Sequence, residues 1–174
     1  MRHTLSVLVE NRFGELSRIV GLFSARGYNI ESLTVAETLD PTISRVTLVT
    51  IGNDQIIEQI VKQLEKQVRI LKVLDMTGFE HVEREMALIR VKTKAGPQRQ
   101  ELLSLVSVFR AKVVDVSNEG LIIEATGDWN KVRALIELLK PFGIQDIVRT
   151  GTVAIARLNE PAASEAADES EMAV

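Results

Sequence analysis

Apolar residues in the first half of the chain recur with two different periods. Alternation at Leu5, Val7 and Val9 predicts a β-strand over about 3–10, and further strands are predicted over about 30–38, 44–52 and 69–77. Spacings of three and four residues predict two amphipathic helices between them. Their apolar stripes are Leu16, Ile19, Val20 and Phe23, and then Ile56, Ile57, Ile60, Val61 and Leu64. The resulting order, βαββαβ, is typical of two helices packed on one face of an antiparallel sheet.

Local residue chemistry marks the ends of these elements. Gly27 is suited to end the first helix, because glycine adopts the left-handed conformation without strain. Either Asn53 or Asp54 can cap the second helix. Asp40-Pro41 predicts the turn between the two middle strands.

The second half of the chain repeats this pattern. Strands are predicted over about 82–94, 112–117 and 120–127, with further strands from Ile144 and from Val153 to Arg157. Pro97 opens one helix and Asp128 caps the next. Shifted by 86 positions, the first apolar stripe falls on Leu102, Leu105, Val106 and Phe109. We therefore predict an α+β chain of two ferredoxin-like βαββαβ modules, residues 1–78 and 79–158, each an antiparallel sheet with helices on one face.

Two strands of the first module are apolar on both faces, namely those at 44–52 and 69–77. Because helices cover only one face of such a sheet, the other face needs a covering surface. Modules of this size also have thin cores. The pattern predicts association with another subunit.

Charge and composition narrow the functional classes. The chain has a net charge of −3 and no cysteine, which excludes disulfides and thiolate chemistry. Residues 159–174 contain five acidic residues and no basic one, which predicts a disordered acidic tail and leaves a nearly neutral body. Nucleic acid is not expected as the main ligand, because it requires a concentrated basic surface. No apolar run reaches the roughly 20 residues of a membrane span. The N-terminus lacks a signal-peptide pattern, so we expect a cytoplasmic protein.

The connection from the first strand to the first helix, residues 11–16, is the strongest candidate for a binding site, and we call it the elbow. Gly14 lies where the helix begins, and backbone amides there have no partner within the helix. Such amides favour a carboxylate, and glycine permits close approach of a ligand. Asn11 and Asn29 add neutral amide groups that suit a zwitterion. The same residues are common in turns, so from the residues alone both interpretations stand.

The second module differs at this connection. At the offset of 86, Asn11 and Gly14 correspond to Pro97 and Gln100. If the elbow served only the fold, both modules would be expected to share it. The difference favours a ligand site in the first module.

Several segments resemble a known family. Asn11, Gly14, Leu16, Ile19 and Phe23, followed by Gly27-Tyr28-Asn29-Ile30, resemble the ACT domain, an amino-acid-sensing module. Residues 16–24 (LSRIVGLFS) and 26–35 (RGYNIESLTV) are similar to the small subunit of acetolactate synthase, also called acetohydroxyacid synthase. So are residues 81–85 (HVERE) and the turn at 149–151 (RTG). The resemblance covers about residues 1–158 and leaves out the acidic tail.

The resemblance implies a regulatory subunit that is not an enzyme by itself and that binds valine between the ACT domains of two chains in a homodimer. The effector-binding residues that it implies are Asn11, Gly14, Glu15, Leu16, Asn29 and Ile30, with Ser17 and Ala36 beside them. The amides of Gly14, Glu15 and Leu16 would hold the carboxylate.

The partner that the resemblance implies is the catalytic large subunit. That subunit uses thiamine diphosphate, Mg²⁺ and FAD to convert two pyruvate molecules to 2-acetolactate and CO₂, in the biosynthesis of valine, leucine and isoleucine. The small subunit raises its activity and confers feedback inhibition by valine. No cofactor, metal or catalytic residue is expected in this chain itself.

The residues also bear on three other functions. A free-standing enzyme would need an acid, base or nucleophile cluster, but His3 and His81 have no carboxylate pair at ligand spacing and Ser17 has no histidine partner. An RNA-binding module would need stacking aromatic residues, and the strands at 30–38 and 44–52 have none. A sensor of amino acids that serves a different enzyme stays open as the alternative.

Overall fold

A computed structural model describes residues 1–158 of the chain. They group into two compact units, one of residues 1–82 together with the segment that begins at Thr152, and one of residues 83–151. The acidic tail predicted for residues 159–174 lies outside the described residues.

The first unit contains one antiparallel sheet of four strands. Its elements are β1 (Arg2–Glu10), α1 (Glu15–Ala25), β2 (Ile30–Glu37), β3 (Ile43–Ile51), α2 (Asp54–Glu65) and β4 (Ile70–Asp75). The strands follow the order β2-β3-β1-β4, so β2 and β4 are the two edges. A short 3₁₀ turn, Met76–Gly78, follows β4.

The second unit repeats this order of elements. They are β5 (His81–Lys92), α3 (Pro97–Val108), β6 (Lys112–Val116), β7 (Gly120–Gly127), α4 (Trp129–Leu139) and β8 (Ile144–Arg149). The strands follow the order β6-β7-β5-β8, and a last strand, β9 (Val153–Ala156), pairs with β5 outside this order. Both units therefore have the predicted βαββαβ arrangement of an antiparallel sheet with two helices, and the predicted fold class is confirmed.

Side-chain caps start two of the helices. The Asn53 side chain accepts a hydrogen bond from Ile56 N at 2.9 Å, so Asn53 rather than Asp54 is the cap of α2. Asp128 accepts from Lys131 N at 2.8 Å at the start of α4, as predicted. Each bond satisfies an amide that the helix leaves without a partner.

The first core forms between α1, α2 and the face of the sheet that carries Leu5, Val7 and Val9. On α1 the buried residues include Ile19 and Phe23, as predicted. Leu16 was predicted to belong to the same stripe but is 40% exposed, and Leu22 is buried instead. The stripe was therefore wrong at its first position, because Leu16 lies in the first turn, where the helix leaves the elbow.

The repeat between the units has a different offset from the one predicted. Two equivalent turns end α1 and α3, with Tyr28 N donating to Phe23 O and Ala111 N donating to Val106 O. Phe23 thus matches Val106, at an offset of 83 rather than 86. A shift of three residues leaves a side chain on nearly the same helix face, so the apolar pattern alone does not separate the two offsets.

The face of the first sheet that points away from its helices, here called the outer face, is also largely buried. Val49 has no exposed area and Thr47 is 3% exposed. Residues of the same unit lie against part of this face, since Thr152 N donates to Ser32 Oγ at 2.9 Å. The covering surface predicted from the doubly apolar strands is therefore partly supplied by the chain itself.

Candidate functional site

Gly14 turns the chain from β1 into α1. Its φ of 89° lies in the left-handed region, where a residue with a Cβ is strained. A Cβ placed on Gly14 would have no other atom within 4 Å. Backbone conformation, not crowding, therefore favours glycine here, and the elbow is open to a ligand on this side.

Three backbone amides at the start of α1 donate to no acceptor in residues 1–158, namely those of Gly14, Leu16 and Ser17. The Glu15 amide is already engaged, because it donates to Arg12 O at 3.3 Å. Unpaired amides at a helix N-terminus, with the helix dipole behind them, form a site for a carboxylate. The amides of Gly14 and Leu16 are therefore available as donors to the carboxylate that was predicted to bind there.

The Glu15 side chain points into the unit and not to the solvent. Its carboxylate is 5% exposed and lies 3.1 Å from Arg18 Nη1 and 3.2 Å from Arg69 Nη1. Arg69 comes just before β4, so this ion pair ties the elbow to a segment 54 residues away. Glu15 thus fixes the position of the elbow, a role that the sequence pattern did not indicate.

Asn11 is held by the loop between β2 and β3. Its Nδ2 donates to Glu37 Oε1 at 3.2 Å and to Pro41 O at 2.9 Å, and its backbone N donates to Thr42 O at 2.7 Å. A carboxamide nitrogen has two hydrogens, so Oδ1 is the group of this side chain that is left for a ligand. Oδ1 accepts hydrogen bonds, which suits an ammonium group.

The loop that holds Asn11 is organised by Asp40. Its Oδ1 accepts from Thr42 N at 2.8 Å and from Thr42 Oγ1 at 2.7 Å. The hydrogen bonds from the Thr42 hydroxyl and then the Thr42 amide lower the pKa of the Asp40 carboxyl. Asp40 therefore keeps its charge, and the loop keeps these bonds, at neutral pH.

Asn29 and Ile30 lie at the other end of the sheet from the elbow. Ile30 pairs with Thr50 and Thr50 pairs with His3 of β1, whereas Asn11 follows the last residue of β1. At about 3.3 Å per residue the two asparagines are roughly 25 Å apart along the strands. One chain therefore does not bring Asn29 and Ile30 to the elbow.

The remaining predicted residues lie near the elbow and face the solvent. Leu16 and Ser17 are exposed in the first turn of α1, and Ala36 is exposed on β2. Ala36 pairs with Arg45, one position before Glu37, which holds Asn11. Phe13 is fully exposed next to Gly14. The elbow thus combines free amides with apolar side chains that are open to solvent.

The second unit has a different connection at the equivalent place. Gly96 precedes α3 and Pro97 is the first residue of that helix. Proline has no N–H, whereas Glu15, the first residue of α1, donates its N–H to Arg12 O. The Arg99 and Gln100 amides both donate to Gly96 O. The predicted match of Gly14 with Gln100 is wrong, because Gly96 is the N-cap of α3 with φ 143°, as Gly14 is the N-cap of α1. The two connections differ in the first helical residue, which is Glu15 in α1 and Pro97 in α3.

The two histidines lie in different surroundings. His3 is buried, with Nδ1 3.3 Å from Asp75 Oδ2, and His81 Nδ1 lies 2.9 Å from Phe79 O. Within residues 1–158 there is no group of three histidine or acidic side chains that could hold a metal ion. A search of the same residues for a helix long and apolar enough to cross a membrane also finds none.

Two consecutive ferredoxin-like modules, of which the first has an open helix N-terminus, define a protein with the ACT-like βαββαβ fold. The comparisons with known proteins agree. The model of the small-subunit ACT domain of acetohydroxyacid synthase matches residues 5–72, and the model named small subunit of acetolactate synthase matches residues 84–158.

Similar proteins from other organisms align with nearly the whole chain. The acetolactate synthase small subunit of Aquifex aeolicus is 51% identical over 90% of this chain and 81% of its own length. That of Bacillus subtilis is 47% identical over 94% of this chain and 95% of its own. The crystal structure of the small subunit from Thermotoga maritima has a TM-score of 0.81 at 44% identity, covering 92% of this chain and 99% of its own.

The chain belongs to the acetolactate synthase small subunits. A small subunit of this synthase implies a catalytic large subunit as its partner.

Proposed function

We propose that this chain raises the activity of its large catalytic partner and makes that partner sensitive to inhibition by valine. The observation that carries the proposal is the open elbow, where the amides of Gly14, Leu16 and Ser17 have no acceptor in the described chain and Asn11 stands beside them. An amino acid presents one carboxylate and one ammonium, and the elbow offers donors for the first and an acceptor for the second.

We further propose that the valine site is shared by two copies of the chain. β2 is an edge strand, with backbone groups free to pair with another strand. If the β2 strands of two copies pair antiparallel about a twofold axis, the Ile30 end of one lies against the Glu37 end of the other. Glu37 is bonded to Asn11 of its own chain, at 3.2 Å. The second copy's Asn29 and Ile30 then approach the elbow, which one chain alone does not allow.

In this arrangement each group of valine has a defined partner. The carboxylate accepts from the free amides at the start of α1. The ammonium donates to Asn11 Oδ1, since Asn11 Nδ2 is occupied within the chain. The isopropyl group lies between the exposed Leu16 and Ile30 of the second copy. No charged side chain of the protein needs to be buried together with valine, which keeps the desolvation cost of the protein groups low.

Catalysis in this proposal belongs to the large subunit. That subunit binds thiamine diphosphate, Mg²⁺ and FAD and joins two pyruvate molecules with loss of CO₂. The small subunit contributes binding energy that differs between the active and inhibited states of the complex, which is the physical content of feedback inhibition.

The test begins with calorimetric titration of the full chain with L-valine, with D-valine as the matched control. The large subunit is then assayed alone, with the small subunit, and with the small subunit plus L-valine. We expect saturable heat for L-valine only, higher activity in the complex than in the large subunit alone, and inhibition of the complex by L-valine. A coupling of about 1–3 kcal/mol corresponds to a change of about 5- to 150-fold in affinity or half-effective concentration.

Absence of heat with L-valine would contradict the sensing role, and unchanged activity on mixing the subunits would contradict the activating role. These two results are independent of each other. Leucine and isoleucine serve as the next titrants, since they share the zwitterionic groups and differ in the apolar group.

A further inference from the structure

A cavity of about 610 Å³ lies on the outer face of the first sheet, away from the elbow amides. It is bounded by residues of β2, β3 and β9, which all belong to the first unit, and by the loop between β2 and β3. Its lining includes Thr34, Ala36, Arg45, Thr47, Val153 and Ile155. The volume is within the usual range for small-molecule sites, and most of the lining is apolar.

Two polar groups in this cavity have unused hydrogen-bonding capacity. Thr47 is 3% exposed, and its hydroxyl makes no hydrogen bond within residues 1–158 although it lines the cavity. Arg45 has no ion-pair partner among the same residues. The one hydrogen bond of its side chain there is a long one, from Nη1 to Ser6 Oγ at 3.5 Å. A hydroxyl and a guanidinium that both border the cavity can therefore bind a ligand group without giving up a strong bond within the chain.

The charge on this face favours an anion as that partner. Arg45, Leu8 and Lys72 follow one another across β3, β1 and β4. Lys72 Nζ is buried and has no hydrogen-bond partner in the described part of the chain. Two cations without carboxylate partners on one partly buried face raise the local potential and attract a negative group. Arg45 is the one that lines the cavity, so it is the direct contact.

The acidic residues at the rim restrict the ligand further. Glu37 Oε1 accepts from Asn11 Nδ2, and Asp40 Oδ1 accepts twice from Thr42. Their negative charges disfavour a ligand that carries more than one negative charge. Each of these carboxylates keeps its second oxygen as an acceptor for a donor group. The apolar part of the lining includes Ala36, Val153 and Ile155.

We propose that this cavity is a second ligand site of the chain, distinct from the elbow, and that it binds a small aliphatic monocarboxylate. The carboxylate pairs with Arg45 and accepts from the Thr47 hydroxyl, and the aliphatic part contacts Val153 and Ile155. This proposal does not depend on whether the elbow binds valine.

The test is calorimetric titration of the full chain with 3-methylbutanoate, with 3-methylbutanamide as the neutral ligand of the same shape. We expect saturable binding of the carboxylate and at least about tenfold weaker binding of the amide, since a charge-assisted pair is lost. R45Q removes the cation and is expected to weaken binding of the carboxylate at least about tenfold. R26Q is the matched control, because Arg26 is an exposed arginine of the same unit that bonds to Gln63, and it should bind as the original chain does.

Two further variants make the result decisive. T47V keeps the shape of the side chain and is expected to weaken binding about five- to tenfold through loss of one hydrogen bond to a charged group. G14D leaves this cavity untouched and should retain binding. Absence of saturable binding, equal affinity of R45Q and the original chain, or loss of binding in G14D would each overturn the proposal. Circular dichroism of each variant is the control that checks whether the fold is kept.

Discussion

Glu15 shows how one residue can serve a site without facing it. The residue lies in the middle of the elbow, yet its carboxylate is buried between Arg18 and Arg69 and its amide is bonded to Arg12 O. The neighbouring amides of Gly14, Leu16 and Ser17 are the ones left for a ligand. The side chain of Glu15 therefore fixes the direction in which those amides point.

Replacement of Glu15 by alanine should destabilise the protein by about 1–3 kcal/mol, because it removes a buried acceptor from two arginines. Both arginines are partly exposed and recover hydration, which keeps the loss below that of a fully buried pair. Urea unfolding measures the effect. E137A is the control, since Glu137 pairs with Lys140 on the surface and should contribute less than about 1 kcal/mol. Equal midpoints for the two variants would show that the ion pairs of Glu15 are not stabilising.

Gly14 allows the charge at the elbow to be tested at constant shape. Asp and Asn have nearly the same size, both tolerate a positive φ better than most residues, and the space around a Cβ at this position is open. We expect G14D to weaken valine binding at least about tenfold more than G14N, because only Asp places a second carboxylate beside that of the ligand. Calorimetry gives the affinities, and the assay with the large subunit should show that G14D still activates. If both variants bind valine equally well, the elbow is not the site of the carboxylate.

At the scale of elements, the loop between β2 and β3 connects the two candidate sites. This loop lines the cavity on the outer face. Its residues Pro41 and Thr42, together with Glu37 at the end of β2, also form hydrogen bonds with Asn11. Asp40 organises this loop through its two bonds from Thr42. Because hydrogen bonding lowers the pKa of Asp40, these bonds persist at neutral pH and are lost only as the pH falls through that lowered pKa.

The variant D40A should loosen the loop and with it Asn11. We expect valine affinity to fall about threefold to tenfold, with little change in the unfolding temperature, because Asp40 is exposed and the loop is not part of the core. Hydrogen exchange should become faster at the amides of Asn11 and Thr42. E58A is the control, since Glu58 is an exposed carboxylate on α2 whose pKa is lowered by Lys62. If D40A and E58A have the same valine affinity, the loop does not position the elbow.

At the scale of the whole molecule, the separation of Asn11 and Asn29 decides how many chains a site needs. The two residues lie at opposite ends of one sheet. A site that uses both residues therefore requires a second copy, and the free edge of β2 provides the place for it. Any ligand that contacts both asparagines has the same requirement for a second copy.

Mixing two inactive variants tests the shared site directly. N11A and N29A should each lose valine binding on their own. When they are co-expressed in equal amounts, half of the dimers contain one chain of each kind, and one of the two sites in such a dimer has both asparagines. About a quarter of the original number of sites should therefore return, as measured by calorimetry. No recovery in the mixture, compared with each variant alone, would place both asparagines in a site within one chain or outside the site.

The elements, their order and the position of the elbow can be predicted from the amino-acid sequence alone. These follow from interactions between near neighbours, namely the period of apolar residues, the caps at Asn53 and Asp128, and the left-handed conformation required at Gly14. The family followed as well, because its motifs lie in continuous segments. The apolar pattern missed the offset of 83, since three residues are less than one helix turn. It also missed the burial of Leu22 in place of Leu16, because exposure in the first turn depends on how the helix leaves the elbow.

Which groups of the elbow are free depends on contacts between distant parts of the chain. The bonds of Asn11 to Glu37 and Pro41, and of Glu15 to Arg69, join residues 26 to 54 positions apart, and no local pattern indicates such partners. The distance between Asn11 and Asn29 likewise depends on the order of strands in the sheet. Hydrogen bonds and ion pairs across a sheet depend on register and packing, which the whole fold sets, whereas periodicity records only how each residue relates to its neighbours in the chain.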